Sequence, residues 1–259
     1  MSVKGSPSSL FENVTLVCIS GIIGVGKSTA IRLLKENPNL ILQHLNPTKS
    51  EDSISLCFVK EPSELWRQRQ WTTRFYENPQ KRALAFQLLV FTTHVAAVRE
   101  TLEAAKRLQP HPQKIICIIE RSMWDQLLFW KVQGVDSMED DAYMQTWTLW
   151  NEFLPPVSKI FFCKTSNLSA TMARVQLRAS MIEEEKEGVS LEYQTLLYEK
   201  HCEWYTEGKT NISWTQEGKK YAEKSIDCVH LNTDVPYHED EDVLKELACE
   251  LAEELKEYI

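Results

Sequence analysis

The chain has 259 residues, 43% of them hydrophobic and 25% charged, which suits one large or two small globular units with a buried core. Its formal net charge is −8, with acidic residues gathered between His238 and Tyr258; this argues against holding nucleic acid or an anionic membrane over a broad face. No apolar run reaches transmembrane length, and the lead-in Met1 to Asn13 resembles neither a signal nor a transit peptide, having no arginine and carrying Glu12, so a cytoplasmic location is expected.

After a lead over residues 1–13, the first strand is predicted at Val14–Ser20. It runs into Gly21-Ile-Ile-Gly-Val-Gly26-Lys27-Ser28, which fits G-x-x-x-x-G-K-[ST], and a helix is predicted over Lys27–Asn37. Strand, glycine-rich loop and helix are the arrangement a phosphate cradle needs. Gly21, Gly24 and Gly26 let the backbone turn its N–H groups inward around phosphate oxygens without a side-chain clash. Lys27 can reach the β- and γ-phosphates, and Ser28 offers a hydroxyl to Mg²⁺. Thr29 supports the helix start and completes the nucleotide-binding set.

A second strand, Ser55–Lys60, ends at Glu61-Pro-Ser-Glu-Leu-Trp66, and a long helix is predicted over Gln80–Leu108. A third strand, Lys114–Glu120, ends at Glu120-Arg121-Ser122 and leads into helices at Ser122–Gln133 and Met138–Leu154. Strands at Lys159–Lys164 and Ser225–Leu231 follow, with helices at Leu168–Ser180 and Leu191–Thr206 between them. Glu207–Lys224 reads as a surface loop, and a helix over Glu241–Tyr258 closes the chain. The strands are nearly continuous in apolar residues, as in a parallel sheet covered on both faces. The expected fold is therefore α/β: a five-stranded parallel sheet flanked by helices, forming one domain over 14–259. Five of the seven cysteines (Cys18, Cys57, Cys117, Cys163 and Cys228) lie in or beside these runs and read as small buried hydrophobes.

Ligands of such sheets bind beyond the carboxyl ends of the strands, where Glu61, Glu120 and Arg121 fall, facing the phosphate loop. Phosphoryl transfer to a hydroxyl needs a carboxylate to take the proton, Mg²⁺, and cations around the γ-phosphate. Arg174 and Arg178, one helical turn apart and followed by Glu183–Glu185 and Gly188, suit a lid at about 174–190 that closes over that group. Each feature also has a plainer reading, as a strand-end ion pair or a solvated helix face.

On these residues the chain resembles the deoxynucleoside kinase family. The likeness runs through the phosphate loop, Glu61-Pro-x-x-x-Trp66, Tyr76-Glu77-x-Pro79 with Phe86-Gln87, Glu120-Arg121-Ser122, the lid, and Leu191-Glu192-Tyr193. The resemblance implies ATP as phosphoryl donor, Mg²⁺, a deoxynucleoside acceptor and a homodimer paired through the long helix, where Leu84, Leu88, Phe91 and Val95 supply apolar surface. It also implies roles: Glu61 as general base, Arg121 orienting it, Glu120 helping to hold Mg²⁺ through water, and Tyr76 on the sugar 3′-hydroxyl. Gln87 would read the base edge, Phe86 and Trp130 would flank the base, and Trp66 would line the pocket. The chain departs from the family at Ser180, where a further arginine is expected, and in a lid about three residues longer, which leaves open which of Glu183, Glu184 and Glu185 reaches the sugar. It also departs at His94 and Gln126, which stand where deoxycytidine-specific members hold an Arg–Asp pair; Asp125 is one position away.

Two other readings compete. A nucleoside monophosphate kinase has a similar sheet and lid, but its ionised acceptor has less need of a base such as Glu61. A non-catalytic relative of the same fold would show damage in the set Gly26, Lys27, Ser28, Glu61, Glu120 and Arg121, which is intact. No guanine-reading Asn-Lys-x-Asp is present to support a GTPase.

Overall fold

The structure, a computed structural model, describes residues 11, 13–45, 54–108, 114–134, 137–179, 189–216, 219–235 and 240–259. Of Ser137, Arg178, Ala179 and residues 214–216 and 219–223 it describes the backbone alone. In chain order the elements are β1 (Val14–Ser20), α1 (Lys27–Glu36), α2 (Asn39–Leu45), β2 (Ile54–Val59), α3 (Ser63–Gln68), α4 (Trp71–Glu77), α5 (Pro79–Lys106) and β3 (Lys114–Glu120). There follow α6 (Met123–Lys131), α7 (Ser137–Asn151), β4 (Val157–Lys164), α8 (Leu168–Ala179) and α9 (Leu191–Trp204). The last are β5 (Gly208–Lys209), β6 (Ile212–Gln216), β7 (Lys219–Lys224), β8 (Asp227–Asn232) and α10 (Glu241–Leu255).

All five strands expected from the sequence form, and they pair in parallel in the order β2-β3-β1-β4-β8, with the short β5 antiparallel at the edge. β1 is therefore central, and the phosphate loop leaves the sheet at its middle. Side chains alternate between two apolar layers, as the strand period of two requires. Leu16, Cys18, Cys117, Ile119, Ile160 and Phe162 face one layer, with Phe91 and Val95 of α5 and Leu127 and Trp130 of α6. Val17, Ile19, Ile116, Ile118, Phe161 and Cys163 face the other, with Ile31 and Leu34 of α1 and Leu247 and Leu251 of α10. Cys18, Cys117, Cys163 and Cys228 are buried and all seven cysteines are free, so the strand cysteines serve as small hydrophobes.

α5 is long, about 42 Å at 1.5 Å per residue, and begins where Asn78 Oδ1 accepts the Lys81 N–H at 3.2 Å with Pro79 in its first turn. Phe91 and Val95 of this helix are core residues, so they are spent on the fold. Leu84 and Leu88 are only partly buried against that core.

One expectation needs correction, and three short helices are additions to the expected elements. Glu207–Lys224 is not a loop: β5 pairs with β8, and β6 and β7 form an antiparallel pair running from Ile212↔Lys224 to Gln216↔Lys219. Gly208 there has φ +87, a turn conformation that glycine adopts without steric cost, and the β-branched and aromatic run Ile212-Ser-Trp-Thr outweighs the polar residues around it. The short helices α2, α3 and α4 went unforeseen because six or seven residues are too few to display a 3.6-residue period. Among the described residues no helix is long and apolar enough to cross a membrane.

Candidate active site

The phosphate loop is shaped by backbone conformations that favour glycine. Gly24 has φ +78, and a Cβ there would stand 2.6 Å from a Val175 methyl and 2.7 Å from the Thr171 carbonyl oxygen of α8. Gly26 has φ +108 and caps α1, so the first N–H groups of that helix open toward the loop. Lys27 is buried, and its Nζ donates to the Ile22 carbonyl oxygen at 2.7 Å. Burial, and then the Arg121 charge, lower its pKa to about 8 against the pull of Glu120 and Glu61.

The strand ends bring the other charges to this loop. Glu61 follows β2 and its carboxylate accepts a hydrogen bond from Arg121 Nη1. Both side chains are nearly enclosed. Burial, with Glu120 adding to it, raises the Glu61 pKa above the usual carboxylate range despite the opposing pull of Arg121. Glu120 ends β3; its Oε1 accepts from Ser28 Oγ at 2.5 Å and its Oε2 from the Glu61 N–H at 3.4 Å. Two cations, Lys27 and Arg121, thus alternate with two anions, Glu61 and Glu120, in one buried group.

Arg121 holds an unusual backbone. Its φ is +59, rare for a residue with a side chain, while its N–H donates to the Ile19 carbonyl oxygen at 3.0 Å. The guanidinium lies over the Phe129 ring, 4.7 Å from the centroid. What holds this turn is Asp125. Its Oδ2 accepts from the Ser122 N–H at 2.6 Å and Ser122 Oγ at 2.8 Å, closing a capping box at the start of α6. Its Oδ1 accepts from Ser20 Oγ, the last residue of β1. His201 Nε2 of α9 lies 3.6 Å from the same oxygen. Burial would raise the Asp125 pKa, but His201, Ser20 and Ser122 outweigh it and hold the carboxyl well below its ordinary range. Asp125 therefore faces the interior and Gln126 faces the cavity.

That cavity, about 500 Å³, is in the range of small-molecule sites. Gly24, Gly26, Lys27, Ser28 and Thr29 lie at one end. Glu61, Glu120, Arg121 and Arg174 also line it; Arg174 Nη1 reaches the Gly24 and Val25 carbonyl oxygens at 3.4 Å each. At the other end are Trp66, Tyr76, Phe86 and Gln87. Phe86 stacks on Phe75 at 4.5 Å, and Trp66 meets Phe86 edge-on while its Nε1 donates to Thr93 Oγ1 at 2.9 Å. Gln87 is buried with its Oε1 unpartnered. Behind it His94 is buried and its pKa is lowered to about 4 by burial, so the ring is neutral; Gln126 Nε2 lies 3.4 Å from His94 Nδ1.

One expected residue is elsewhere. Trp130 is fully buried, stacked on Tyr143 at 4.4 Å with its Nε1 donating to Asp140 Oδ1 at 2.5 Å, and it does not line the cavity. Phe129, one position earlier, does. On a helix one step turns a side chain by about 100°, and α6 has apolar residues on every side and is buried almost all round, so no single stripe showed which aromatic faces the site. Also unforeseen are Phe75 and the segment Thr233-Asp234-Val235 after β8. There Asp234 ties the Thr165 hydroxyl at 2.6 Å and the Ser166 N–H at 2.7 Å. Arg178 lies on α8 one turn past Arg174, with its side chain outside the described residues, as are Ser180 and Glu183–Glu185 of the expected lid.

The sequence profile of the deoxynucleoside kinases matches residues 17–251. The chain belongs to the deoxynucleoside kinase family. It is 26% identical over 216 residues to the probable deoxycytidine kinase of fowlpox virus, covering 79% of this chain and 77% of that one. It is 27% identical over 223 residues to deoxycytidine kinase 2 of Gallus gallus, covering 80% of each. As a deoxynucleoside kinase it is a phosphotransferase acting on deoxynucleosides, and its P-loop α/β sheet is the fold of that family.

Removing the anchor of the Arg121 turn has a defined cost. Asp125→Ala leaves the buried donors of Ser20 and Ser122 without their acceptor and is expected to destabilise the fold by about 1–3 kcal/mol for each donor left unsatisfied. Urea unfolding measures it; a loss below about 1 kcal/mol would show that the carboxylate does not hold the corner.

Proposed function

We propose that the chain transfers the γ-phosphoryl group of ATP to the 5′-hydroxyl of a deoxynucleoside, as one domain over residues 14–259 working in the cytoplasm. The observation that carries this reading is the Glu61–Arg121 pair, set at the mouth of the phosphate loop in the same cavity as an aromatic cleft. Glu61 takes the proton of the 5′-hydroxyl, and its raised pKa brings it nearer neutrality, where a base works best. Arg121 orients that carboxylate, Lys27 meets the β- and γ-phosphates, and Arg174 and Arg178 gather around the transferring group. Ser28 and Glu120 converge as an all-oxygen donor set, which fits Mg²⁺, and they would hold it, Glu120 through water; the bound ion supplies neutralisation of the phosphate charge.

In the nucleoside half, Tyr76 bonds the sugar 3′-hydroxyl, Gln87 pairs with the base edge, and Phe86 and Phe129 flank the ring, with Trp66 closing the pocket. The named relatives are deoxycytidine kinases, and a glutamine amide serves cytosine by accepting from N4 and donating to N3. The same amide, flipped, serves thymine. Its neighbours His94 and Gln126 are neutral, so no full charge commits the pocket to either pattern. A site without committed buried donors discriminates by about 10–200-fold, against 10⁴ or more for a committed one. Thymidine and deoxycytidine are both expected as substrates. Trp130, which is in the core, takes no part in setting the size of the base that fits.

Assaying purified protein with Mg²⁺-ATP against the four deoxynucleosides and thymidine monophosphate tests this. Both pyrimidine nucleosides should yield 5′-monophosphates with kcat/KM values within about 200-fold of each other. Turnover of the monophosphate alone would make the chain a monophosphate kinase instead, and more than about 10³-fold selectivity would mean a committed pocket. The proposed homodimer is supported by the resemblance and the partly buried Leu84 and Leu88 of α5. Light scattering should return twice the 30.1 kDa chain mass; the single-chain mass at micromolar concentration would end that part of the proposal.

A further inference from the structure

Away from the cavity, α2 and α10 pack side by side on the outer face of the sheet. Ile41 and Leu45 of α2 and Leu244, Leu247 and Leu251 of α10 lie in the same apolar layer. At the margin of this contact three side chains of different chemistry converge. His44 comes from the last turn of α2, and Cys249 and Glu253 come from α10, four residues apart and so on one face. One nitrogen, one sulfur and one carboxylate oxygen lie within 4.8 Å of one another. The His44 Nδ1 to Cys249 Sγ distance is 4.0 Å.

We propose that His44, Cys249 and Glu253 form a binding site for a thiophilic divalent cation, Zn²⁺ in the first instance, which clips α2 to α10. Ligands at zinc distances in a tetrahedron stand about 3.6 Å apart, so the observed spacing closes by small side-chain rotations. The sulfur and imidazole donors select Zn²⁺ over Mg²⁺ or Ca²⁺, which prefer oxygen. Three protein ligands leave one position for water. Cys249 is half-buried and its two partners are exposed, so the ion enters from solvent. The site has one built-in competitor: Lys256 Nζ lies 2.5 Å from Glu253 Oε1. A carboxylate has further acceptor positions, so this pair does not exhaust it. Binding replaces the thiol S–H bond by an S–Zn bond and releases that proton to solvent.

None of the three residues lines the cavity, so the test is independent of phosphoryl transfer. Full-length protein is stripped with a chelator, dialysed, and titrated with Zn²⁺ by calorimetry in excess Mg²⁺, which keeps the Ser28–Glu120 oxygen site occupied. One equivalent of Zn²⁺ is expected per chain. His44→Ala and Cys249→Ser should each weaken it at least 10-fold, the lower end of what changes beyond the ligands cost at metal sites. Co²⁺ alone should give a near-ultraviolet thiolate-to-metal absorption band that Cys249→Ser abolishes. Unfolding of each variant, followed by circular dichroism, checks that it remains folded. No Zn²⁺ uptake, or uptake and a cobalt band that persist in folded Cys249→Ser, would overturn the assignment.

Discussion

A buried carboxylate with no route to water must be surrounded by donors, and in this chain that requirement shapes the active centre. Asp125 takes its hydrogen bonds from the end of β1, from the corner between β3 and α6, and faces His201 on α9. An isolated charge in the interior costs several kcal/mol, so these three elements cannot shift independently without exposing it. β1 carries the phosphate loop, the β3–α6 corner carries Glu120 and Arg121, and α9 carries Tyr193 and Gln194. Gln194 Nε2 donates to the Ile23 carbonyl oxygen inside the phosphate loop at 2.7 Å, a second tie between the same parts. The backbone strain at Arg121 is tolerated because this network surrounds it.

Fixed in that way, four charges from three strand ends meet. Lys27 and Arg121 are held among Glu61 and Glu120, each cation beside an anion, so the group is neutral overall before any ligand arrives. The consequence is opposite tuning of acid and base. Burial lowers the Lys27 pKa to about 8 and raises that of Glu61, bringing both toward the range where they exchange protons near neutrality. Trp66, Phe75, Phe86 and Phe129 supply the apolar walls on the far side, and the polar groups there are neutral amides and a neutral imidazole. Arg67, on the same short helix as Trp66, and Arg121, over the Phe129 ring, are the cations that border these walls among the described residues.

Much of this was legible in the sequence because two kinds of signal were strong. Short, nearly continuous apolar runs, such as those within Val14–Ser20 and Lys114–Glu120, marked the strands, and their order placed Glu61, Glu120 and Arg121 beyond the carboxyl ends of the sheet. The phosphate loop declares itself by the spacing of Gly21, Gly26, Lys27 and Ser28 after a strand, and the structure adds that a Cβ at Gly24 would collide with α8. What escaped had no periodic signature. Phe129 and Trp130 are adjacent on a helix buried on nearly every side, and packing against Tyr143 holds Trp130 inward. Asp125 and Gln126 posed the same one-residue ambiguity. It is settled by the capping box, which draws the aspartate to Ser122 and leaves the amide toward the cavity. The β6–β7 pair lies in a stretch whose glycines and polar residues suggest a loop, and only its short run Ile212-Ser-Trp-Thr carries a strand signal.

The central claim is that Glu61, tuned by burial and held by Arg121, takes the proton of the acceptor hydroxyl. The pH dependence of kcat/KM, compared between the wild type and Glu61→Gln, tests it most directly. Protonation of a base removes activity, so the wild-type rate should fall on the acid side with a midpoint above the ordinary glutamate value of about 4.3. In Glu61→Gln the rate should be lower by about 10² or more and that acid limb should vanish. A variant that keeps the full wild-type rate, or an acid limb that survives the substitution unchanged, would contradict the account.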